Sequence, residues 1–352
     1  MRLLLLLFTA HRAATALAPQ TRHPPTELYA LKAWRSLESR VAAAKTHPAA
    51  DGTRLPFKTE AEEPRLTLYR DTNGWCPFCE RVWIQLEAKK IPYDEQLVDL
   101  RDKPQWWLDL AASAPASANP SGGSAVPAVR YEDGTMLWES AEILTDIERR
   151  FPDAPSLVPA AGSAARATFD SQVAHVSTLA SAGVGLSFAA RNSSLTQEEL
   201  AHKRAALEAE LDALDKRIDA AGGPFMAGSV LTTADCMYAP LLERWASQLP
   251  LTSDFVVRGN GRWPALDGWF EAMEASPAYA AVRGDRYSWV ASVSAFQRIF
   301  AINGTMTEEA KGIVRRADAE AAAELRGLAA SGRAAAPSLE AAARLIKNRA
   351  AV

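Results

Sequence analysis

Leu66-Thr67-Leu68-Tyr69-Arg70-Asp71-Thr72-Asn73-Gly74-Trp75-Cys76-Pro77-Phe78-Cys79-Glu80-Arg81-Val82-Trp83 is the stretch on which the reading of this chain turns. Leu66 and Leu68 alternate with Thr67 and Tyr69, which predicts a short strand, and Asp71-Thr72-Asn73-Gly74 stops it. A helix follows at once. Pro77 has no N–H to lose at a first helical position, and Val82 and Leu86 fall on one helical face, so Cys76 stands at the helix N-terminus. Unpaired N–H groups and partial positive charge gather there, and both stabilise a thiolate, the only attacking form of a cysteine. Cys79, one turn deeper, either resolves a mixed disulfide or packs as a small apolar side chain. An inert buried thiol is the bland reading of Cys76, and the joint arrival of strand, turn, Cys-Pro-x-Cys and helix speaks against it.

Working outward, Tyr93 and Leu97 alternate with acids in a second strand, Val126 to Tyr131 makes a third, and Asp133-Gly134 turns it into Met136 to Trp138. Ser140 opens a helix whose inward face is Ile143, Leu144 and Ile147. The order is βαβ, connection, ββα, which is a thioredoxin-like α/β domain over residues 64–155. Strand signals then fade into an all-α domain over 160–285. Ala164 to Leu186 is a helix weakened by Gly183 and Gly185, and Thr196 to Ala221 is a long one with Leu200, Leu207, Leu211, Leu214 and Ile218 on one face, ended by Gly222-Gly223-Pro224. Thr232 three residues before Asp235 is a capping-box variant, Cys236 behind it reads as core, and Trp263-Pro264 opens a helix ending near Ser276-Pro277. Residues 286–352 form an extension. Thr305 to Leu328 and Ser338 to Ile346 read as alanine-rich helices whose charges alternate in sign, as on a solvated packing face.

The chain's 352 residues suffice for two domains, and 48% hydrophobic with 23% charged residues excludes a disordered or collagen-like protein. With 39 basic against 42 acidic side chains no net field draws the molecule to nucleic acid or an anionic membrane. Three cysteines cannot staple a secreted scaffold. Of the five histidines, the three beyond the expected leader residues His11 and His23 fall at no metal-ligand spacing with cysteine or acid, so no metal is expected, and Gly122-Gly123 lacks the lysine and helix of a phosphate loop.

The first residues read as an address. Arg2, the apolar run Leu3 to Ala10 and Ala16-Leu17-Ala18 make a signal peptide over 1–18, too short to span a membrane. Residues 19–63 form a transit-like segment and linker; no acidic residue precedes Glu27, and a short amphipathic helix is expected from Leu28 to Val41. Such a bipartite leader implies a plastid, with secretion or another endomembrane compartment as the alternative. No membrane span is expected in the mature chain.

From Leu68 to Pro159 the sequence resembles the cysteine-type glutathione transferases, the omega, lambda, dehydroascorbate reductase and iota classes. The matching text is Leu68-Tyr69, the Cys76 to Trp83 run, Asp99-Leu100-Arg101-Asp102-Lys103-Pro104-Gln105-Trp106, Asn119-Pro120, Val126-Pro127-Ala128-Val129 and Glu139-Ser140; Asn73-Gly74-Trp75 looks most like the iota class. Phe225 to Glu243 carries the family's helical-domain signature. The resemblance implies glutathione as co-substrate, with Cys76 attacking or holding sulfur. It implies a cis Pro127 that lets the Val126 main chain pair with the cysteinyl backbone of glutathione, Glu139 and Ser140 at the γ-glutamyl end, and Lys103 near the glycine end. It departs from the family between Trp107 and Val126, where an Ala, Ser, Pro and Gly-rich insert over 111–125 either covers the glutathione site or leaves it looser.

The expected activity is a glutathione-dependent thiol transferase or reductase acting through a mixed disulfide on Cys76, with a small electrophilic, oxidised or disulfide second substrate. A conjugating transferase would use a hydroxyl near the first strand, where Tyr69 lies, and a ligand or pigment carrier would need none of Cys76, Val126-Pro127 and Glu139-Ser140 together. A homodimer and a monomer both fit.

Overall fold

The computed structural model describes residues 63–72, 74–100, 102–189, 195–283, 286–299 and 306–330. The expected leader, the helix from Leu28 to Val41 and the helix from Ser338 to Ile346 lie outside them. Four strands form the first layer: β1 (Leu66–Asp71), β2 (Asp94–Val98), β3 (Ala128–Tyr131) and β4 (Met136–Trp138), in the order β2-β1-β3-β4. β1 pairs in parallel with β2 and antiparallel with β3, and β3 antiparallel with β4, which is the mixed thioredoxin-like sheet. Helix α1 (Pro77–Lys89) crosses from β1, α2 (Gln105–Ser113) lies in the connection, and α3 (Ser140–Arg150) follows β4. The expected inward face of α3 is in place, with Ile143, Leu144 and Ile147 at or below 1% exposure.

Three details differ from the sequence reading. The third strand starts at Ala128 rather than Val126, because Pro127 has no N–H for the ladder; the Val126–Pro127 bond is cis. In β2 a charged side chain takes a buried position. Glu95 is buried on this edge strand because Arg70 of β1 satisfies both its oxygens, at 2.9 and 3.1 Å, while the Arg70 guanidinium lies 4.0 Å from the Trp83 ring centre. The connection contains α2, a helix not read from the sequence, which buries Trp107 and Ala111 one turn apart. Its insert is tied down: Trp107 Nε1 donates to Ser124 O at 2.9 Å, Asn119 Nδ2 to Gly123 O at 2.8 Å, and the Trp138 N–H to Ala118 O at 2.9 Å.

The helical half comprises α4 (Ala164–Ala189), α5 (Gln197–Ala220), α6 (Thr233–Ser253), α7 (Pro264–Ala275), the short α8 (Pro277–Ala280), α9 (Arg286–Ile299) and α10 (Glu308–Ala330). α4 runs unbroken through Gly183, where a Cβ would sit 2.1 Å from the Trp245 ring, so this glycine buys a close helix approach rather than weakness. The predicted box of Thr232 with Asp235 is present at the start of α6, and a second one that was not read from the sequence, Thr196 with Glu199, opens α5. Asp235, wholly buried, also accepts from the Met226 N–H and Trp269 Nε1, each at 2.8 Å, and burial pushes its carboxyl up even so. Cys236 is core, at 0% exposure. α6 is the hub: it packs against α1 of the first domain, α4, and the extension helices α9 and α10. α9 was not read from the sequence, and α10 buries Ile313, Val314, Ala317 and Ala321. No helix among the described residues is long and apolar enough to cross a membrane.

Candidate active site

Cys76 is the N-cap of α1, with extended backbone (φ -75°, ψ 112°) and Pro77 behind it. Its sulfur lies 3.7 Å from the Val126 carbonyl oxygen, so the cysteine and the main chain before the cis-proline, 50 residues apart in sequence, meet across the end of the sheet. The turn that presents Cys76 hangs from Asp71, the last residue of β1. One Asp71 oxygen accepts from the Trp75 N–H at 2.7 Å and the other from the Cys76 N–H at 3.2 Å. Such a carboxylate on successive N–H groups is a strong charge-assisted support for a turn.

A second support comes from the helical domain. Arg244 of α6 donates through Nη2 to Gly74 O at 3.2 Å and through Nε to Trp75 O at 3.1 Å. Its Nη1 meets Glu80 at 2.7 Å, Glu243 at 3.0 Å and the Pro240 carbonyl at 2.6 Å. One cation thus faces two buried carboxyl groups. Burial, with Glu80 beside it, pushes the Glu243 carboxyl well above the usual range, and Glu243 also accepts from the Tyr279 hydroxyl at 2.5 Å. Arg81, buried and bonded to Met237 O at 3.2 Å, is the other cation near Cys76; burial draws its pKa down to about 10, and Arg244 acts in the same direction. Both guanidiniums feel the Cys76 sulfur electrostatically, which gives this end of α1 a cationic surround for any anion bound there.

Cys79 is 1% exposed, and burial, then the neighbouring Cys76 and Asp71, hold its thiol well above the ordinary range. The ligand atoms of Asp71, Cys76 and Cys79 lie within 4.8 Å of one another, yet both Asp71 oxygens already serve the turn. The remaining sequence-derived residues are placed as follows. Glu139 precedes α3 at φ +67°, a backbone region that a non-glycine residue occupies at a cost of order 1–3 kcal/mol, and its carboxylate accepts from the Ser121 hydroxyl. Ser140, 7% exposed, is the first residue of α3. Lys103 donates to Ser124 Oγ at 3.1 Å, and burial lowers its pKa. The insert therefore reaches both of these side chains, Ser121 on Glu139 and Ser124 on Lys103. Tyr69 sits in the core with its ring stacked on Trp107 at 5.3 Å, and burial raises its hydroxyl.

Residues 75–150 match the family model "Glutathione S-transferase, N-terminal domain" and residues 197–272 match "Glutathione S-transferase, C-terminal domain". Over 174 residues the chain is 33% identical to "Glutathione S-transferase DHAR2" of Arabidopsis thaliana, covering 49% of this chain and 68% of that protein. The chain is a cysteine-type member of the glutathione S-transferase family. A second Arabidopsis thaliana transferase, "Glutathione S-transferase DHAR3, chloroplastic", is 34% identical over 86 residues, 24% of this chain and 29% of that one. Among solved structures the fold resembles the dehydroascorbate reductase of Chlamydomonas reinhardtii, with a TM-score of 0.51 and 26% identity over 64% of this chain and 96% of that one. For a transferase of this type, sequence reasoning missed Asp71, Arg81 and Arg244. Asp71 had a findable signal, an Asp opening an Asn-Gly turn. Arg244 had none, since the carbonyls it holds lie about 170 residues away.

Proposed function

We propose that this transferase is a glutathione-dependent thiol transferase or reductase working through a mixed disulfide on Cys76. The observation that carries the reading is the meeting of the Cys76 sulfur and the Val126 carbonyl at 3.7 Å, beside the cis-proline. Val126 O, which the thiol meets here, is the acceptor a glutathione backbone N–H would take, and its closeness to Cys76 supports a glutathione sulfur bound against that cysteine. In the reaction the Cys76 thiolate attacks the glutathione sulfur of a disulfide. The S–S bond breaks, the Cys76–glutathione bond forms, and the leaving thiolate takes up a proton. A second glutathione thiolate then attacks the adduct, releasing glutathione disulfide and restoring Cys76. With dehydroascorbate, two glutathione molecules supply the two electrons and two protons and end as glutathione disulfide. Cys79, held as a buried thiol, is not required by this route.

Lys103, Glu139 and Ser140 are the glutathione anchors in this reading. Ser140 adds the free N–H groups of a helix start for a carboxylate, and the strained backbone of Glu139 is of the kind kept where a ligand is clamped. The packing of Tyr69 on Trp107 supports a structural role for that ring over a conjugating one. The deciding experiment is incubation with glutathione disulfide followed by mass measurement: wild type gains one glutathione on Cys76, and Cys76→Ser gains none there and loses reductase activity, while Tyr69→Phe keeps it. Full activity in Cys76→Ser would refute the assignment and favour a hydroxyl-type conjugating enzyme. A plastid location is part of the same proposal, supported by the chloroplastic relative; a reporter fused to residues 1–60 should enter a complex plastid, and a cytosolic signal would rule that out.

A further inference from the structure

The C-terminal extension reaches the residue before the cysteine. Trp289 and Phe296 are seven residues apart on α9, two turns, and so share a face. Trp289, 2% exposed, lies under the Arg244 guanidinium at 4.0 Å, and Phe296 brings its ring to 5.7 Å from Trp75, the residue before Cys76. α9 is itself fastened to α6 through Gln248 Nε2 and Ser292 Oγ at 2.8 Å, and α10 adds Arg316 on the Leu251 carbonyl at 2.9 Å. The peptide units flanking Trp75 are therefore held from three directions: their N–H groups by Asp71, their carbonyls by Arg244, and the ring between them by α9.

We propose that α9 is a positioning element for Cys76, with Trp289 setting the plane of the Arg244 guanidinium and Phe296 seating Trp75. The physical reason lies in the shape of arginine. A guanidinium donates in its own plane, so an aromatic ring stacked on its face fixes where the fork of N–H groups points. Arg244 has two carboxyl partners on its Nη1 side and two carbonyl partners through Nε and Nη2. Without the ring the carboxyl side keeps the cation, and the weaker hydrogen bonds to Gly74 and Trp75 are the ones given up. The Cys76 turn then loses one of its supports while the body of the enzyme stays folded.

This inference rests on Cys76 being the reactive thiol, and the test reads that thiol directly, without turnover. In the full chain, Trp289→Leu should slow iodoacetamide modification of Cys76, followed by peptide mass mapping, about tenfold, and lower kcat similarly with KM for glutathione within about twofold. Trp289→Phe, which keeps a ring under the guanidinium, should recover to within about threefold. Phe296→Leu, at a half-buried position where folding is not at risk, should give a smaller loss in the same direction. Ile313→Ala removes buried packing from α10, a helix that takes no part in the Arg244 and Trp75 contacts described above, so it should leave the rate near wild type. An unchanged rate in Trp289→Leu overturns the proposal; should that variant not fold, an unchanged rate in Phe296→Leu does. It is equally overturned if Trp289→Phe is as slow as Trp289→Leu or Ile313→Ala matches their loss. If instead Cys76→Ser remains active, the functional reading falls and the alkylation result on α9 stands.

Discussion

Asp71→Asn is the sharpest probe of how the site is built. The wild-type carboxylate, 2% exposed, accepts from two backbone donors, the Trp75 N–H at 2.7 Å and the Cys76 N–H at 3.2 Å. Asparagine has the same shape but a single acceptor oxygen, so its amide NH₂ must face one of the two N–H groups. The variant loses one hydrogen bond to a charged acceptor and leaves a buried donor opposed by another donor. Such a loss costs about 1.5–3 kcal/mol. For a chain of this size about 2 kcal/mol lowers the thermal midpoint by roughly 3 °C. The shorter bond is the one to Trp75, so the oxygen should stay there and the Cys76 N–H should be the group abandoned. Glutathione-dependent reduction should then fall at least about tenfold, equivalent to about 1.4 kcal/mol, with Arg244 still holding the neighbouring carbonyls. The assay pairs thermal unfolding with steady-state reduction of a glutathionylated peptide. A wild-type midpoint together with wild-type kcat/KM would show that the turn does not depend on Asp71, and the account of how Cys76 is presented would be wrong.

Other outcomes follow from the same geometry. Glu243→Gln tests the buried carboxyl pair: a carboxyl whose folded-state pKa is raised contributes stability that is full below its unfolded value of about 4.5 and is lost as pH rises toward the folded one. The variant, having no group to titrate there, should gain on wild type by up to about 1.4 kcal/mol per pH unit above pH 5 in urea denaturation, and parallel pH dependences would contradict the upward shift of the Glu243 carboxyl. Cys79→Ser should keep at least about half of wild-type kcat in one-thiol reactions, since a second glutathione releases the adduct; a collapse in turnover would make Cys79 the resolving thiol. Ser124→Ala, which removes the side-chain partner of Lys103, should raise KM for glutathione a few-fold at unchanged kcat, and a drop in kcat alone would place the insert in the chemistry instead. Gly183→Ala should destabilise by about 1–3 kcal/mol despite a helix-propensity gain of about 1 kcal/mol, because its Cβ meets the Trp245 ring; a stabilised variant in thermal unfolding would show that the two helices can part without cost.

Some readings depended only on neighbours along the chain. The β1 strand, the turn and the α1 start around Cys76 follow from alternation, turn residues and a proline without an N–H, all within about twenty residues. The Thr232 box is a pattern of residues three apart and was legible for the same reason; the Thr196 box carries the same pattern and was not read. α2 was not read because Ala, Ser and Pro after Trp107 mimic a loop, although the Trp107 and Ala111 spacing carried the helical period. The acids of the second strand were read only as alternating with Tyr93 and Leu97, and it is the arrival of Arg70 from the neighbouring strand that makes the burial of Glu95 tolerable.

What the sequence by itself determined is the local chemistry: a cysteine at a helix start, a proline before β3, a Glu-Ser at the head of α3 and the order of the elements. Each rests on backbone rules acting over a turn or two. What only the tertiary structure decided is the company these residues keep. Arg244 on the Gly74 and Trp75 carbonyls, Ser121 on Glu139, Ser124 on Lys103, and α9 against Trp75 and Arg244 join positions about 18 to more than 200 residues apart. Hydrogen bonds and ring contacts act over a few ångströms in space whatever the separation along the chain, so no local pattern announces them; packing α6 against α1 brings Arg244 to the Cys76 turn, and the fold of the insert brings Ser121 and Ser124 to their partners.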